Sequence, residues 1–257
     1  MPQSMPITVC PDYDILSRLA AALVFEQIAR AAYTGKSFVL GMATGATPEG
    51  MYARLVDSLR GFGGNLSRFH TVNLDEYVGL TAKDSESYHH YMTEHFWKPL
   101  TESHPEVRPE TQFLIPNGAA SDPEGEARSY EERIAAIGGI DLQILGIGTN
   151  GHIGFNEPGS DGTSRTRVVT LAESTRQDNA KYFGGDTSRV PAQAISMGIA
   201  TVLEAREILL LASGAAKRRV IEMLRSCIEP EPEMPASYLV WHPRVMLITD
   251  VPAAGVR

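Results

Sequence analysis

Cysteine, an excess of basic charge and long apolar runs are what this sequence has little of. Only two cysteines, Cys10 and Cys227, occur in 257 residues. Their separation fits neither a metal-binding pair nor a redox pair, and a chain of this length needs no disulfide framework to fold. That usage points to a reducing, cytoplasmic setting. Lys and Arg number 23 against 31 Asp and Glu, a formal net charge of −8. The balance disfavours nucleic acid as a partner but still permits a local cationic cluster that holds a small phosphate. No segment has the roughly 18 apolar residues that span a bilayer. The opening MPQSMPITVCPDYD also lacks the basic and apolar regions of a signal peptide. The expectation is no membrane span and no export. Neither a linker nor an internal repeat divides the chain, so residues 1–257 are expected to form a single domain.

What is present is alternation. Strand-like runs at Ile7–Cys10, Phe38–Met42, Phe69–Val72, Leu142–Ile147, Ile208–Ala212 and Val245–Ile248 alternate with helix-like segments, the pattern of βαβ units around a mostly parallel sheet. The first helix, about Tyr13 to Thr34, places Ile15, Leu19, Leu23 and Ile28 near one face, and Gly35 ends it. Pro48 suits the first turn of a second helix running to about Leu59, with Thr47 as its cap. A charged helix begins at Asp122 or Pro123, and its Glu and Arg residues read as a solvated face. Thr163–Thr170 alternates like a strand. Glu173–Phe183 then reads as a helix ending in Gly184-Gly185, so that about 163–185 forms a hinged flap over a pocket.

The densest chemistry lies in IDLQILGIGTNGHIGFNEP, from Ile140 to Pro158. An apolar strand there breaks into glycines and presents Asn150, His152, Asn156 and Glu157 within eight residues. Polar groups at the carboxyl end of a buried strand sit where open α/β sheets bind ligands. Taken alone, the glycine motif serves a local turn as well as a site. A dinucleotide fits poorly, because the acidic ribose ligand expected about 20 residues downstream is missing and Asp161 falls too early.

Three other loops repeat the strand-loop-helix theme. Phe38–Leu40 leads into GMATGATP, whose helix start offers backbone N–H groups and whose Thr44 and Thr47 add hydroxyls, a fit for an anion. The order is not that of a nucleotide P-loop, so a monophosphate is the better candidate; a capped turn is the bland alternative. Phe69–Asn73 ends in LDEY with adjacent carboxylates. If Asp75 faces the pocket as a base, Glu76 faces away, since neighbours on extended chain point to opposite sides. The bland alternative for either carboxylate is a cap or a surface acid. Ile208–Ala212 runs into SGAAK, which puts Lys217 near a helix start, either beside the same anion or in a solvated run with Arg218 and Arg219.

In order, GMATGATP, NLDEYVGL, ESYHHYM, LGIGTNGHIGFNEP, SRTRVVTL and ASGAAK closely resemble the motifs of the glucosamine-6-phosphate deaminase family, over about Pro6 to Asp250. NLDEY together with GHIGFNEP separates this branch from the related 6-phosphogluconolactonases. The resemblance implies an α/β, three-layer Rossmann-like fold with helices on both faces of the sheet. It implies conversion of glucosamine 6-phosphate to fructose 6-phosphate and ammonium, with no metal and no organic cofactor. The galacto epimer is the first alternative substrate and a phosphogluconolactone the second.

By position, Asp75 resembles the base that moves a proton from C2 to C1, and His152 the histidine that opens the pyranose ring. Glu157 resembles the acid that orients that histidine and raises its proton affinity. Asn150 departs from the aspartate of some relatives: it keeps an orienting amide but no counter-charge. Thr44, Gly45, Ala46 and Thr47 match the phosphate cradle and Lys217 its cation. Lys181 stands where relatives often carry arginine, and so lacks a bidentate fork. Tyr88 is either a cavity residue or an ordinary helix residue. Some relatives are hexamers activated by N-acetylglucosamine 6-phosphate through basic residues around SRTRVVTL. Here Arg167 is retained, but Val169 replaces a lysine and the tail after Asp250 is short. A homo-oligomer thus stays open, while activation by that sugar is expected to be weak or absent.

Overall fold

Ten strands lie among residues 5–256, which are those the computed structural model describes. The first four residues of the opening segment and the last residue of the tail, both read above, lie outside them. Seven strands form one sheet: β1 (Ile7–Cys10), β2 (Phe38–Met42), β3 (Phe69–Asn73), β5 (Phe113–Leu114), β6 (Leu142–Gly146), β9 (Glu207–Ala212) and β10 (Val245–Asp250). Their order is β1-β10-β9-β6-β2-β3-β5, and every neighbouring pair is parallel. All five residues of β2 are buried, as a strand covered on both faces requires. The sheet extends one way from β2 through β3 and the other way from β6. Between β2 and β6 the loops that follow the strands therefore diverge and leave a crevice.

Helices cover both faces, as the α/β, three-layer reading expects. On one side Tyr13–Tyr33, Ala46–Arg60 and the helical segment from Tyr88 to Ser103 bury Leu16, Val24, Met51, Leu55, Phe96 and Trp97 against the sheet. On the other, Pro123–Ala136 and Arg218–Ser226 bury Tyr130, Ile134, Val220, Ile221 and Leu224. The inward face of the first helix differs from the expectation by one residue. Leu16, Ala20, Val24 and Ile28 are the core positions, Leu19 and Leu23 pack at its margin, and Ile15 is 41% exposed. Asp12, capping through Ile15 N–H, sets that phase, and the alanines bring the helix close to the sheet. No described helix is long and apolar enough to cross a membrane.

The chain leaves the large sheet at Leu74 and enters a smaller antiparallel one of β4 (Asp75–Tyr77), β8 (Gln193–Ser196) and β7 (Arg167–Thr170), in the order β4-β8-β7. The alternation of Thr163–Thr170 matches β7; β4 and β5, of three and two residues, are too short to show a period, and β8 lies outside the expected strands. After β7 the chain is helical as expected, with a helix at Glu173–Asn179, a 3-10 turn at Ala180–Phe183, and Gly184 and Gly185 at φ 70° and 84°.

Two buried phenols set the ends of the central strands. Tyr52 Oη donates to Ala43 C=O (2.7 Å) and accepts from Ala43 N–H (3.0 Å), fixing the residue that follows β2. Tyr130 Oη donates to Asn73 C=O (2.6 Å), with Leu114 C=O at 3.2 Å, and so joins the ends of β3 and β5. Tyr52→Phe leaves a buried N–H and C=O unpaired, a loss of about 1–3 kcal/mol. Urea unfolding is expected to show a lower midpoint with an unchanged slope.

Candidate active site

The loops at the carboxyl ends of β2, β3, β6 and β9, with the flap, enclose a cavity of about 770 Å³. Thr44, Gly45, Ala46, Thr47, Asp75, His152, Lys181 and Lys217 all line it, so eight of the ten candidate residues are brought together. Asn150 and Glu157 stand behind the imidazole, outside the lining.

After β2 the chain turns at Gly45, whose φ of 106° strains any residue with a Cβ. The helix then begins at Ala46, one residue before the expected cap. Thr47 therefore lies inside the first turn, and the helix has no side-chain cap at all. Its first turn lines the cavity, with the positive end of the helix dipole there, an arrangement suited to an anion. Tyr13 Oη, shared between Ala46 C=O (2.9 Å) and Thr47 C=O (3.1 Å) and accepting from Gly50 N–H (2.8 Å), locks this turn from outside. Tyr91 Oη bonds Gly45 C=O at 3.4 Å.

Across the cavity Asp75 is 5% exposed, and its carboxylate accepts no hydrogen bond from the described residues. Burial, with the charge of Glu76 adding to it, pushes its pKa up to about 8. Gly154, at φ 55°, brings backbone against it: a Cβ there would stand 3.4 Å from Asp75 Oδ2. Glu76 points away as expected, accepting from backbone N–H groups instead of facing the cavity. Tyr88 is a cavity residue, its ring stacked on Phe155 with centroids 6.1 Å apart.

His152 follows β6 in the glycine-rich loop, and its ring lies over Gly148, where any Cβ would collide with it. Glu157 Oε2 lies 3.7 Å from His152 Nδ1, too far for a hydrogen bond, and the buried Nδ1 has no partner. Asn150 does not touch the imidazole. Its Nδ2 donates to Glu157 Oε2 (2.9 Å), and its Oδ1 accepts from His152 N–H (3.2 Å), so the amide braces the acid and the loop. Burial lowers the imidazole's pKa and outweighs the rise that Glu157 gives as expected; Lys217 adds to the lowering and Asp178 opposes it. The ring is neutral at pH 7.

SGAAK forms a 3-10 turn at Ala215–Lys217 before the helix proper. Asp250 shapes it, accepting from Ser213 Oγ, from Gly214 N–H (3.1 Å) and from Ala253 N–H (2.9 Å). Lys217 is half-buried, and its pKa is lowered by burial, with Lys181 adding to the lowering. Lys181, on the flap, is exposed, its Nζ 4.9 Å from the centre of the Tyr182 ring. The flap helix also supplies residues that the motifs did not single out. Asp178 lines the cavity, and Thr175 donates from its hydroxyl to Glu157 Oε1. Their positions on the inward side of Glu173–Asn179 were the available signal.

The arrangement can seat an anion at one end, transfer a proton at a buried carboxylate, and relay another through a neutral imidazole. Comparison with known proteins points the same way. A glucosamine-6-phosphate deaminase of Shouchella clausii is 47% identical over 98% of this chain and 97% of its own length. Glucosamine-6-phosphate deaminase 2 of Bacillus subtilis is 45% identical over 97% and 96%. The solved structure of a monomeric glucosamine-6-phosphate deaminase superposes with a TM-score of 0.90 at 42% identity, covering 98% of this chain and all of that one. A Trypanosoma cruzi 6-phosphogluconolactonase, at 19% identity and TM-score 0.77 over 98% and 96%, shares the fold. The model of the glucosamine-6-phosphate isomerase/6-phosphogluconolactonase family matches residues 11–247, and the chain belongs to that family.

Proposed function

We propose that the chain is a glucosamine-6-phosphate deaminase that converts D-glucosamine 6-phosphate and water to D-fructose 6-phosphate and ammonium. The observation that carries the reading is one juxtaposition. A buried carboxylate and a neutral imidazole share a cavity with an open helix N-terminus and a half-buried lysine. The near-half identity to proteins of that name supports the gluco epimer over the galacto one and the deaminase over the lactonase.

In this reading the phosphate sits on Thr44, Gly45, Ala46 and Thr47, with Lys217 as counter-ion and Lys181 arriving from the flap. His152 takes the O1 proton and returns it to the ring oxygen, opening the pyranose; an imidazole that is neutral at rest can accept before it donates. Glu157, braced by Asn150, steadies the imidazolium that forms between the two transfers. Asp75 removes the C2 proton to give an enolamine and delivers it to C1, leaving an imine at C2. Water adds there and ammonium departs. A carboxylate hidden from solvent keeps its proton between the two carbons instead of losing it to water.

The flap over 163–185 opens for exchange of substrate and product, and the rest of the chain is one domain. One relative is a monomer, which favours a site complete without a partner subunit. Cys10 and Cys227 are free thiols, which supports a cytoplasmic setting.

The direct test is ammonium release from glucosamine 6-phosphate, run beside galactosamine 6-phosphate and beside 6-phosphogluconolactone hydrolysis. Silence with both amino sugars and rapid lactone hydrolysis would move the chain to the other branch. Asp75→Asn is expected to abolish ammonium release while substrate still raises Tm. The variant is also expected to be more stable. Folded Asp75 titrates near 8, above its ordinary 3.8, so its burial costs nothing below the ordinary value. The cost grows as pH rises to 8 and is constant beyond. The Tm gain is therefore larger at pH 8 than at pH 5, and normal turnover by Asp75→Asn would remove it from proton transfer. Because the base acts ionised, kcat/KM is expected to rise about tenfold per pH unit on the acid side and to level near pH 8. A profile flat from about pH 6 to 9 would contradict this assignment.

A further inference from the structure

Glu76 is enclosed as deeply as the base beside it, at 2% exposure, yet the chemistry above does not use it. Its Oε1 accepts from Tyr77 N–H (2.8 Å) and Tyr88 N–H (3.1 Å), and its Oε2 from His89 N–H (2.8 Å). Those donors belong to β4 and to the first turn of the helix Tyr88–Met92, so one carboxylate bridges the ten-odd residues between them. That helix start carries Tyr88 against Tyr77, with their hydroxyls 3.3 Å apart, and forms a wall of the active cavity. Strand alternation turns Glu76 the other way, into a separate cavity of about 680 Å³ that it shares with His89, Trp97 and Lys98. Among the described residues neither Asp75 nor Glu76 has an ion-pair partner.

We propose that Glu76 is a positioning residue for Asp75: it bolts the base's strand to the helix bearing Tyr88, and its negative charge behind the base stabilises the proton that the base carries from C2 to C1. The proposal rests on Asp75 being that base. Burial raises Glu76 too, to about 7, but its three N–H donors pull the other way and hold it below Asp75, which accepts none, so a proton shared by the pair resides on Asp75 and Glu76 carries the charge above that pH. The halfway state of the reaction, with Asp75 neutral and the enolamine formed, is then the state in which the two carboxyls do not repel.

Other charged groups act on the pair from fixed places. Behind Glu76 stand His89, Asp84, Lys98 and Glu110. Across the cavity from Asp75 lie His152, Lys217, Lys181, Asp178, Glu49 and Glu86, with the phenols of Tyr77, Tyr88, Tyr91 and Tyr182; the buried Tyr130 phenol lies beyond. Glu76→Gln leaves all of these in place.

The test follows the Asp75 carboxyl by 13C NMR through a pH titration, the resonance being assigned by its loss in Asp75→Asn. In Glu76→Gln the midpoint is expected to fall by roughly one pH unit. The acid limb of kcat/KM should move with it, and Glu76→Asp should restore most of both. An unchanged midpoint would overturn the proposal, whatever the variant's kcat. If Glu76→Gln does not fold, the wild-type titration decides: two inflections in the Asp75 resonance are expected from coupling to Glu76, and a single step overturns it. The NMR titration needs no turnover. A shifted midpoint in a protein that releases no ammonium would therefore count against the deaminase reading and leave the electrostatic link between the carboxyls standing.

Discussion

Parallel pairing of β2 with β6 is the constraint on which the rest of this molecule depends. The two strands meet over a short register, Leu40 opposite Leu142 and Gly41 opposite Gln143, and the sheet grows outward from them in opposite senses. Because both strands end at the same side and their chains leave in different directions, backbone from both must surround a gap there. The first departure delivers a helix N-terminus and the second delivers a histidine on a glycine turn. Gly41 belongs to the same constraint, since a Cβ there would run into the Gln143 side chain that fills the seam. The proposed anion cradle and proton relay would thus be two results of one strand pairing.

Burial in this crevice pushes ionisable groups toward their less polar forms. Asp75, His152 and Lys217 are each shifted toward the neutral species, in every case with burial as the leading cause. An apolar enclosure built from Leu74, Tyr77, Phe155 and Phe183 produces this common direction. It has a common use. In the proposed reaction, a base and an imidazole whose proton affinities are shifted in this way begin close to the state in which exchange with a sugar is easy.

Much of this was legible in the residues. Buried strands announced themselves as runs of Val, Leu and Ile because both faces are covered, and the glycine loops after them stood out because sharp turns need them. The alternation rule correctly sent Asp75 and Glu76 to opposite sides of β4. The misses have physical reasons. Strands as short as Asp75–Tyr77 and Phe113–Leu114 exist through partners far away in sequence, so no local period reveals them. Thr47 looked like a cap because caps are read from residue type, yet Gly45 could turn the chain two residues earlier. The pull of Glu157 on the imidazole was legible, but the larger opposing effect of burial was not, because a neighbour's charge is visible in sequence and burial is not. The phenols of Tyr13, Tyr52 and Tyr130 gave no sequence signal of their role, since each spends its hydroxyl on backbone that only the fold brings within reach.

The hydroxyl of Thr175 on Glu157 ties the flap helix to the acid behind the histidine. One carboxylate therefore joins the helix Glu173–Asn179 to the loop that carries the histidine, with Asn150 holding it from the other side. Any displacement of that helix would release one of the two clamps on Glu157. In the proposed reaction the imidazole would then have a fixed neighbour only while the helix lies over the cavity, which would couple covering of the sugar to the proton transfer.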